Sequence, residues 1–532
     1  MSGVPDKPKE SKTRVSKLRA AACEFVSEKE ADRLPEFLAP VYGPEGCRSA
    51  LQAAELLVHA CDRFLADFGE QPVKVVRCPA RVNLRGMHID NNGGYTNTIC
   101  VDKEVFLVFA TVPMEAGNPL LQLHNVDDVY SPVVAHPNFS EEQVKASESW
   151  VKYVTGTVCA MEEFARIKSW PLAIRGVIIS DCPVGAGLSS SHALILCILN
   201  ALLDASGIEG GLDPISELQI AQRAEHLAGV KSGLTDQGAM IFGNCAKLQH
   251  ARFYDLKMQE IPSTVQFCSW PSSCSVVVAN SRVVRQLAKG SNAVAYALPR
   301  LGCAIALPVM RSEAHVQGLL GDDEASWGLQ GTLRLLKLVP AAATLDELLR
   351  IFPQHSDHIH ASVQRFIPGG RQALDGVAIP LRGSTLFTLA ESARAREFLV
   401  AMESGDLGLC GKLMDIGHEG DDLDGNLHIS DENLDDFAKT FAGLSHIPGA
   451  FQAGHARLDE LCAALRASGA KGASLTGAGR GGCVVGLFDS AHAATAASRR
   501  VLEHFTDLKE HDVFVARPIK GRGMLDLSSI SD

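Results

Sequence analysis

The chain lacks the features that mark several large classes of protein. Acidic residues outnumber basic residues by 62 to 50, and the formal net charge of -12 argues against the basic surface that general nucleic-acid binding needs. The longest uncharged apolar stretch, near Ala193, is shorter than the roughly 18–20 residues that cross a bilayer. The polar N-terminus has no apolar signal-peptide segment. We therefore expect a cytoplasmic protein, and its oligomeric state, monomer or homodimer, stays open.

The 15 cysteines include no pair spaced as C-x-x-C, which argues against a zinc or thiol-redox motif. Several lie in apolar runs, such as Cys197 and Cys483, and are expected to be buried thiols in a reducing compartment. A hydrophobic content of 46% with 21% charged residues is typical of a soluble globular protein. The length of 532 residues predicts several domains, at roughly 100–200 residues each.

Changes in the residue pattern along the chain divide it into three predicted regions. Residues 1–70 are expected to form a partly helical extension that wraps on the rest of the chain, followed by domains over 71–270 and 271–532. Runs rich in β-branched residues predict strands at 73–84, 104–112, 175–181, 273–280, 473–476, 483–488 and 512–516. Apolar periodicity predicts helices at 292–318, 327–337, 383–416, 434–443, 452–468 and 490–505. The acidic segment 418–434 is predicted to be a surface loop.

A Gly/Ser segment, PVGAGLSSSH, precedes an apolar run of helical length. Glycines let the backbone approach a ligand closely, and the first N–H groups of the following helix suit a phosphate. No lysine follows the glycines, so the segment is not a Walker A loop. The alternative interpretation is a serine that caps a core helix. The candidate nucleotide-binding residues are Pro183, Gly185, Gly187, Leu188, Ser189, Ser190 and Ser191.

A second segment, CPARVNLRGMHIDNNGG, follows a predicted strand and brings Arg81, His88 and Asp90 close together in sequence. A sugar needs rigidly held donors and acceptors, which His88 and Asp90 supply. A guanidinium such as that of Arg81 suits a phosphoryl group.

A third segment, GASLTGAGRGGCVVGLF, contains Gly477, Gly479, Gly481 and Gly482 and matches the G-x-G-x-x-G spacing. A dinucleotide fingerprint opens a helix, whereas a strand is predicted after these glycines. The segment therefore favours a glycine loop that packs beside the phosphate loop.

These segments resemble the signatures of the galactokinase branch of the GHMP kinase superfamily, over roughly residues 72–520. PVGAGLSSSH is similar to P-x-G-x-G-L-S-S-S-A, with His192 in the alanine position, and CPARVNLRGMHIDNNGG is similar to P-G-R-V-N-L-I-G-E-H-T-D-Y-N-G-G. The resemblance implies an α+β, two-domain GHMP kinase fold with the active site in the interdomain cleft. It also implies ATP as phosphate donor and a sugar 1-phosphate as product.

The resemblance assigns roles to individual residues. Asp236 would be the base that acts with Arg81, Mg²⁺ would bind Ser191 and Glu225, and the sugar would bind His88, Asp90 and Tyr296. Trp150 and Tyr153 match a family segment and are expected to be a core aromatic pair.

Two residues of the sugar segment leave the substrate open. Met87 stands where galactokinases have a glutamate that contacts the C6 end of the sugar, and Arg85 stands where an apolar residue is usual. These changes suit an anionic sugar such as galacturonate, with Arg85 as its cation, or a pentose with a smaller pocket. Arg85 as an outward-facing surface residue is the competing interpretation. A catalytically silent sugar sensor is a third hypothesis, disfavoured because Arg81, Ser191, Glu225 and Asp236 are all present.

Overall fold

The computed structural model describes residues 13–28, 33–208, 211–230, 232–254, 260–283, 290–316 and 327–530. Its strands, numbered in chain order, are β1 (Thr13–Arg14), β2 (Pro72–Arg85), β3 (Thr96–Pro113), β4 (Leu121–Asn125), β5 (Val133–Ala135), β6 (Leu172–Ser180), β7 (Lys247–Tyr254), β8 (Glu260–Ser269), β9 (Ser275–Asn280), β10 (Ala342–Ala343), β11 (Ile379–Pro380), β12 (Gly472–Leu475), β13 (Cys483–Phe488), β14 (Val513–Ala516) and β15 (Gly523–Met524).

The α-helices of the described residues begin with α1 (Val15–Ser27), α2 (Ala39–Tyr42), α3 (Cys47–Phe68), α4 (Glu141–Ala146), α5 (Val151–Ala165), α6 (Ser190–Ser206), α7 (Pro214–Leu227) and α8 (Thr235–Phe242). They continue with α9 (Gly290–Val316), α10 (Gly328–Leu336), α11 (Leu345–Ile351), α12 (Ser356–Phe366), α13 (Arg382–Ser404), α14 (Leu407–Glu419), α15 (Asp431–Thr440), α16 (Ala456–Ala467) and α17 (Ala491–His504).

A large mixed sheet forms the first half of the fold, with strand order β1-β2-β3-β6-β4-β5. β15 pairs with β2, and β7 joins β3 to β8. The pairs are antiparallel except for β4 with β6. A separate antiparallel sheet, β12-β13-β9-β14, lies in the second half. The mixture of helices and sheets confirms the predicted α+β class.

The large sheet is buried on both faces, and β3 shows why its sequence is continuously apolar. Successive side chains of a strand point to opposite faces. Phe106 and Val108 pack in one cluster with the N-terminal helices, while Leu107 and Phe109 pack in another with α5, α6 and α7. A sheet covered on both sides needs apolar residues at successive positions, which is what residues 105–110 supply.

The N-terminal region is part of this core. Leu57 and Phe64 of α3 are fully buried in the cluster that includes Phe106 and Val177 of the sheet. β1 adds a short antiparallel pair to β2. The first seventy residues, so far as the structure describes them, therefore cover one face of the sheet. The domain boundaries at 70 and 270 stay predictions.

The predicted helix over 383–416 is two helices, α13 and α14, that meet at Gly405. Gly405 has a φ of 75°, a left-handed conformation that ends α13, and the following Asp406 caps α14 through the N–H of Leu409. One described helix, from Ala293 to Val316, is long and apolar enough to cross a membrane. Because 67% of its most apolar window is buried in the protein, a core helix explains it equally well.

Candidate active site

A cavity of 1320 Å³ contains most of the predicted site residues. Its walls come from the region 81–236 and from the region 293–478, so residues of both halves of the chain meet there. The cavity therefore lies where the sequence predicted a cleft.

Arg81, Asp236 and Ser189 meet in this cavity. Arg81 lies on β2, and its Nε and Nη2 lie 2.8 and 2.6 Å from Oδ1 of Asp236. Oδ2 of Asp236 accepts a hydrogen bond from the hydroxyl of Ser189. Asp236 lies in the first turn of α8, not in a loop, and its carboxylate faces Arg81 instead of capping the helix. The strand of the sugar segment and the phosphate loop are thus joined through one carboxylate.

These contacts set the charge of Asp236. Burial by itself raises the pKa of this carboxyl group, but the charges of Arg81 and His192, with the hydrogen bonds from Ser189 and Arg81, outweigh burial and lower the pKa to about 2. Asp236 is therefore ionised at neutral pH and can accept a hydrogen bond from a substrate hydroxyl.

The phosphate loop approaches the cavity as predicted. Ser189 has a left-handed backbone, with φ of 65°, and α6 begins at the next residue. Its hydroxyl donates to Asp236, and no side-chain cap of α6 is found among the described residues. The interpretation as a simple serine cap is therefore wrong. Gly185, Gly187, Ser189, Ser190 and Ser191 line the cavity.

Pro183 and Leu188 do not line the cavity. Leu188 is fully buried, and its carbonyl accepts a hydrogen bond of 3.2 Å from the N–H of Arg81. Its role is to hold the loop against β2. The assignment of Pro183 and Leu188 to nucleotide binding stays a prediction.

Ser191 and Glu225 are adjacent, as expected of a shared metal site. The hydroxyl of Ser191 lies 2.7 Å from Oε1 of Glu225. No group of three or more metal-ligating His, Cys, Asp or Glu side chains occurs in the described part of the chain. Mg²⁺ commonly needs only one or two protein oxygens, because phosphate oxygens and water supply the rest. The two residues therefore fit this ion.

His192, the residue in the family's alanine position, lies between two carboxylates. Its Nε2 is 2.5 Å from Oε2 of Glu225, and its Nδ1 is 3.6 Å from Oδ2 of Asp236. Burial lowers the pKa of His192, but these carboxylates outweigh burial and raise the pKa above its ordinary value. For the Glu225 carboxyl group, burial by itself raises the pKa, but the charge of His192 outweighs burial and lowers the pKa below its usual range. His192 thus engages one of the two oxygens of Glu225.

The third glycine segment packs on the phosphate loop. A Cβ at Gly477 would lie 2.6 Å from the carbonyl oxygen of Gly187, and one at Gly482 would lie 2.6 Å from that of Ala186. A Cβ at Gly481 would lie 2.6 Å from the carbonyl oxygen of Val283, and one at Gly479 would lie closer still to that of Ala453. β13 follows the glycines, which excludes the dinucleotide fingerprint and agrees with the predicted loop.

Four of the five candidate sugar-binding residues line the cavity. Met87, His88 and Asp90 line it, and so does Tyr296 from α9. Asp90 accepts from Asn91 at 3.3 Å and from the N–H of Thr235 at 3.5 Å. Tyr296 packs against the same apolar cluster as Met87.

Arg85 does not line the cavity, and the structure contradicts both predictions made for it. Its side chain is fully buried, with Nη1 3.3 Å from Oε2 of Glu391 and 3.0 Å from the carbonyl of Leu413. Simple alternation along β2 would place Arg85 on the face of Arg81 and Asn83, which line the cavity, but the β2–β3 register shifts between Asn83 and Arg85 and the Arg85 side chain contacts Glu391 instead. Arg85 is neither a substrate-binding cation nor a surface residue.

Several cavity residues were not predicted to line a site. Trp150 is buried in the core cluster and Tyr153 packs against it, as expected, yet both also line the cavity, together with Tyr130. Arg300, one helical turn after Tyr296, also lines it and lies over the rings of Tyr296 and Phe366. The spacing of Tyr296 and Arg300 on one helix face was the available signal.

Comparison with known proteins matches three separate parts of the chain to kinases of one superfamily. The GHMP kinases N terminal domain matches residues 152–244, the GHMP kinases C terminal domain matches 398–507, and the galactokinase galactose-binding signature matches 62–111. The galactokinase of Roseiflexus sp. (strain RS-1) is 27% identical over 443 residues, which is 82% of this chain and 88% of that protein. The galactokinase of Homo sapiens is 25% identical over 462 residues, 85% of this chain and 93% of that protein.

The fold agrees with a solved relative. The crystal structure of Lactococcus lactis galactokinase complexed with galactose superimposes with a TM-score of 0.56 at 19% identity, over 89% of this chain and 99% of that one. The chain belongs to the GHMP kinase superfamily. Within it, the matches lie in the galactokinase branch, and the enzyme class is that of a sugar kinase.

Proposed function

We propose that this protein is an ATP-dependent sugar 1-kinase, which transfers the γ-phosphate of ATP to the anomeric hydroxyl of galactose or a related sugar. The observation that carries the proposal is the position of Asp236, whose carboxylate contacts Arg81 of the sugar strand and Ser189 of the phosphate loop. An acceptor hydroxyl on Asp236 lies next to the loop that would hold the phosphates.

The nucleotide is assigned to the part of the cavity around α6. The N–H groups at the start of that helix and the glycines before it suit the phosphates. Tyr130, Trp150 and Tyr153 suit stacking with a base. Mg²⁺ on Ser191 and Glu225 would neutralise phosphate charge.

Asp236 acts mainly by orienting the acceptor. With a pKa of about 2 it is a weak base, so it holds the hydroxyl by a hydrogen bond and accepts the proton late, as the new P–O bond forms. Arg81 stabilises the negative charge that spreads over the transferring group. The proton ends on Asp236, and the sugar 1-phosphate and ADP leave.

Galactose is the first candidate substrate because the relatives are named galactokinases. His88 and Asp90 line the cavity and would bind its hydroxyl groups. Burial of unpaired hydroxyls is costly, so these hydrogen bonds would select among sugars.

An anionic sugar such as galacturonate is the second candidate, and one observation favours it. Met87 offers no carboxylate that would repel an anionic C6 group. Arg300 lines the cavity, and its described contacts are with two aromatic rings. Arg300, not Arg85, is then the cation that would bind a carboxylate at C6.

The test is ADP release from the purified full-length chain with galactose, galacturonate, arabinose, N-acetylgalactosamine and fucose. Methyl α-galactoside is the matched control for galactose, because its anomeric oxygen is blocked. We expect release with at least one free sugar and none with the glycoside. The product should be an anomeric phosphate, which mild acid hydrolyses more readily than a phosphate at C6.

Activity with the methyl glycoside would contradict transfer to the anomeric hydroxyl. Fast galactose with inert galacturonate would exclude the anionic candidate. Sugar binding without ADP release would instead establish the silent sensor.

A further inference from the structure

Asp421 is a fully buried carboxylate in a segment that the sequence predicted to be a surface loop. It follows α14, and its backbone is fixed on both sides: its N–H donates to the carbonyl of His418 at 3.0 Å, and its carbonyl accepts from Gly454 at 2.6 Å. The side chain has no exposed surface. The carboxylate is therefore held in one place by ordered backbone.

The carboxylate faces His88 of the sugar segment. Oδ1 of Asp421 lies 3.3 Å from Nε2 of His88, whose side chain is only 2% exposed. The His88 ring stacks on Phe451 with centroids 4.3 Å apart and an interplanar angle of 9°. His88 has a φ of 67°, an uncommon conformation for a residue with a side chain. Ring and backbone are thus constrained together.

Stability alone does not account for this carboxylate. Among the described residues, neither of its oxygens has a hydrogen bond of good geometry. A buried charge of this kind costs free energy unless it is paired. Arg85 and His418 lie near enough to interact electrostatically with Asp421; burial lowers the pKa of Arg85, whereas the neighbours of His418 outweigh burial and raise its pKa to about 10. Asp421 thus has positive charge nearby, and its described side-chain contact is with His88.

We propose that Asp421 is a positioning residue for substrate recognition: it accepts a hydrogen bond from the Nε2–H of His88 and so keeps Nδ1 unprotonated, as a hydrogen-bond acceptor for a hydroxyl of the substrate. The partner of one imidazole nitrogen sets which nitrogen carries the proton. The ligand class is a polyhydroxylated molecule such as a sugar. This inference rests on the proposed function, since it assigns His88 to the sugar.

The position of Asp421 also bears on Met87. Met87 carries no carboxylate, and Asp421 brings one to the adjacent His88 from the other half of the chain. The carboxylate acts through the histidine, because Asp421 is not among the residues that line the cavity.

The experiment compares wild-type protein with Asp421→Asn and with Asp422→Asn, a matched control because Asp422 is the next residue and is exposed. The amide of the D421N variant can donate to Nε2, which moves the histidine proton to Nδ1 and removes the acceptor. We expect the KM for galactose to rise roughly 10–100-fold, the range found for comparable outer-shell partners. The KM for ATP and the thermal midpoint should match those of Asp422→Asn.

Two further variants separate positioning from structure. Asp421→Ser removes the carboxylate without adding an amide and should weaken sugar binding to a similar degree. In a His88→Gln background, Asp421→Asn should have no further effect on sugar affinity, because its target is gone. Calorimetric binding of galactose gives the same comparison without turnover.

The outcomes are distinguishable from failure of the proposed function. Wild-type protein that neither binds nor phosphorylates any sugar would overturn both proposals. Active wild-type protein with an unchanged KM for galactose in Asp421→Asn would overturn this inference alone. An equal rise in the KM for sugar and for ATP, or additive effects with His88→Gln, would assign Asp421 a structural role only.

Discussion

The guanidinium of Arg81 contacts Asp236 and the phosphate loop at once. Nε and Nη2 lie 2.8 and 2.6 Å from Oδ1 of Asp236, and Nη1 donates to the carbonyl of Gly187 at 2.6 Å. One side chain from β2 therefore sets the distance between the carboxylate and the loop. The position of the acceptor relative to the donor phosphate depends on this geometry.

Asp236→Asn should abolish most of the catalysis while leaving the fold intact. The amide cannot accept the proton and does not attract Arg81, so we expect kcat to fall by roughly 10²–10⁴. Sugar-dependent ADP release and the circular dichroism spectrum are the measurements. Asp346→Asn, at an exposed carboxylate on α11, is the control and should keep full activity. Activity of Asp236→Asn within twofold of wild type would refute the role of this carboxylate.

Arg81→Gln should move the acid limb of the pH–rate profile to higher pH. Burial raises the pKa of Asp236, and Arg81 is the largest of the groups that lower it to about 2. The ionised form is the active one, so activity is lost as pH falls through this pKa. In wild type, the protonation of Asp236 should not limit kcat/KM above about pH 3. In the variant, the loss should begin at higher pH, and an unchanged limb would show that Arg81 does not control Asp236.

The local motifs were predictable because their chemistry is contiguous in sequence. The phosphate loop needs glycines and serines directly before a helix, and the sugar segment needs its polar residues within one strand and turn. His88, Asp90 and Ser191 were therefore proposed from these motifs, Asp236 was proposed from the family resemblance, and each lines the cavity.

The errors concern residues whose role depends on distant partners. Arg85 is buried because Glu391, 306 residues away, supplies its counter-charge. Asp421 is buried because the chain folds it onto His88. Neither partner can be identified from local composition, and an acidic segment with glycines is ordinarily a solvated loop.

Gly482→Ala should weaken the binding of ATP without affecting the binding of the sugar. A Cβ at this position would lie 2.6 Å from the carbonyl of Ala186, and the backbone φ of 83° is unfavourable for alanine. The phosphate loop would have to move, so we expect the KM for ATP to rise severalfold and the KM for galactose to stay unchanged.

Gly469→Ala is the control for this variant. Gly469 also has a left-handed backbone, with φ of 100°, but a Cβ there meets nothing within 4 Å. Gly469→Ala would therefore introduce the same kind of backbone strain at a position that does not line the cavity. If both variants changed the KM for ATP equally, strain and not loop contact would be the cause.

Gly417→Ala should destabilise the protein through Arg85. An added Cβ would lie 1.4 Å from Nη1 of Arg85, and the guanidinium is fully buried between Glu391 and the carbonyl of Leu413. Displacing it would leave buried charge unpaired, so we expect a loss of about 3 kcal/mol or more in the free energy of unfolding, measured by urea titration. Gly408→Ala on the same helix is the control, because its Cβ would meet only Asp406 at 3.4 Å. Helix propensity should make that change neutral or stabilising, by up to about 1 kcal/mol.

Arg85→Met tests whether the guanidinium is the cause. A thioether is flexible and smaller at its end, so it should tolerate a Cβ at residue 417. Glu391 keeps a charged partner in the variant, since Arg394 donates to it at 2.6 Å. The cost of Gly417→Ala should therefore be much smaller in the Arg85→Met background than in wild type. Additive losses in the double variant would place the clash elsewhere on α14, whereas the expected coupling would identify Gly417 as the residue that makes room for Arg85.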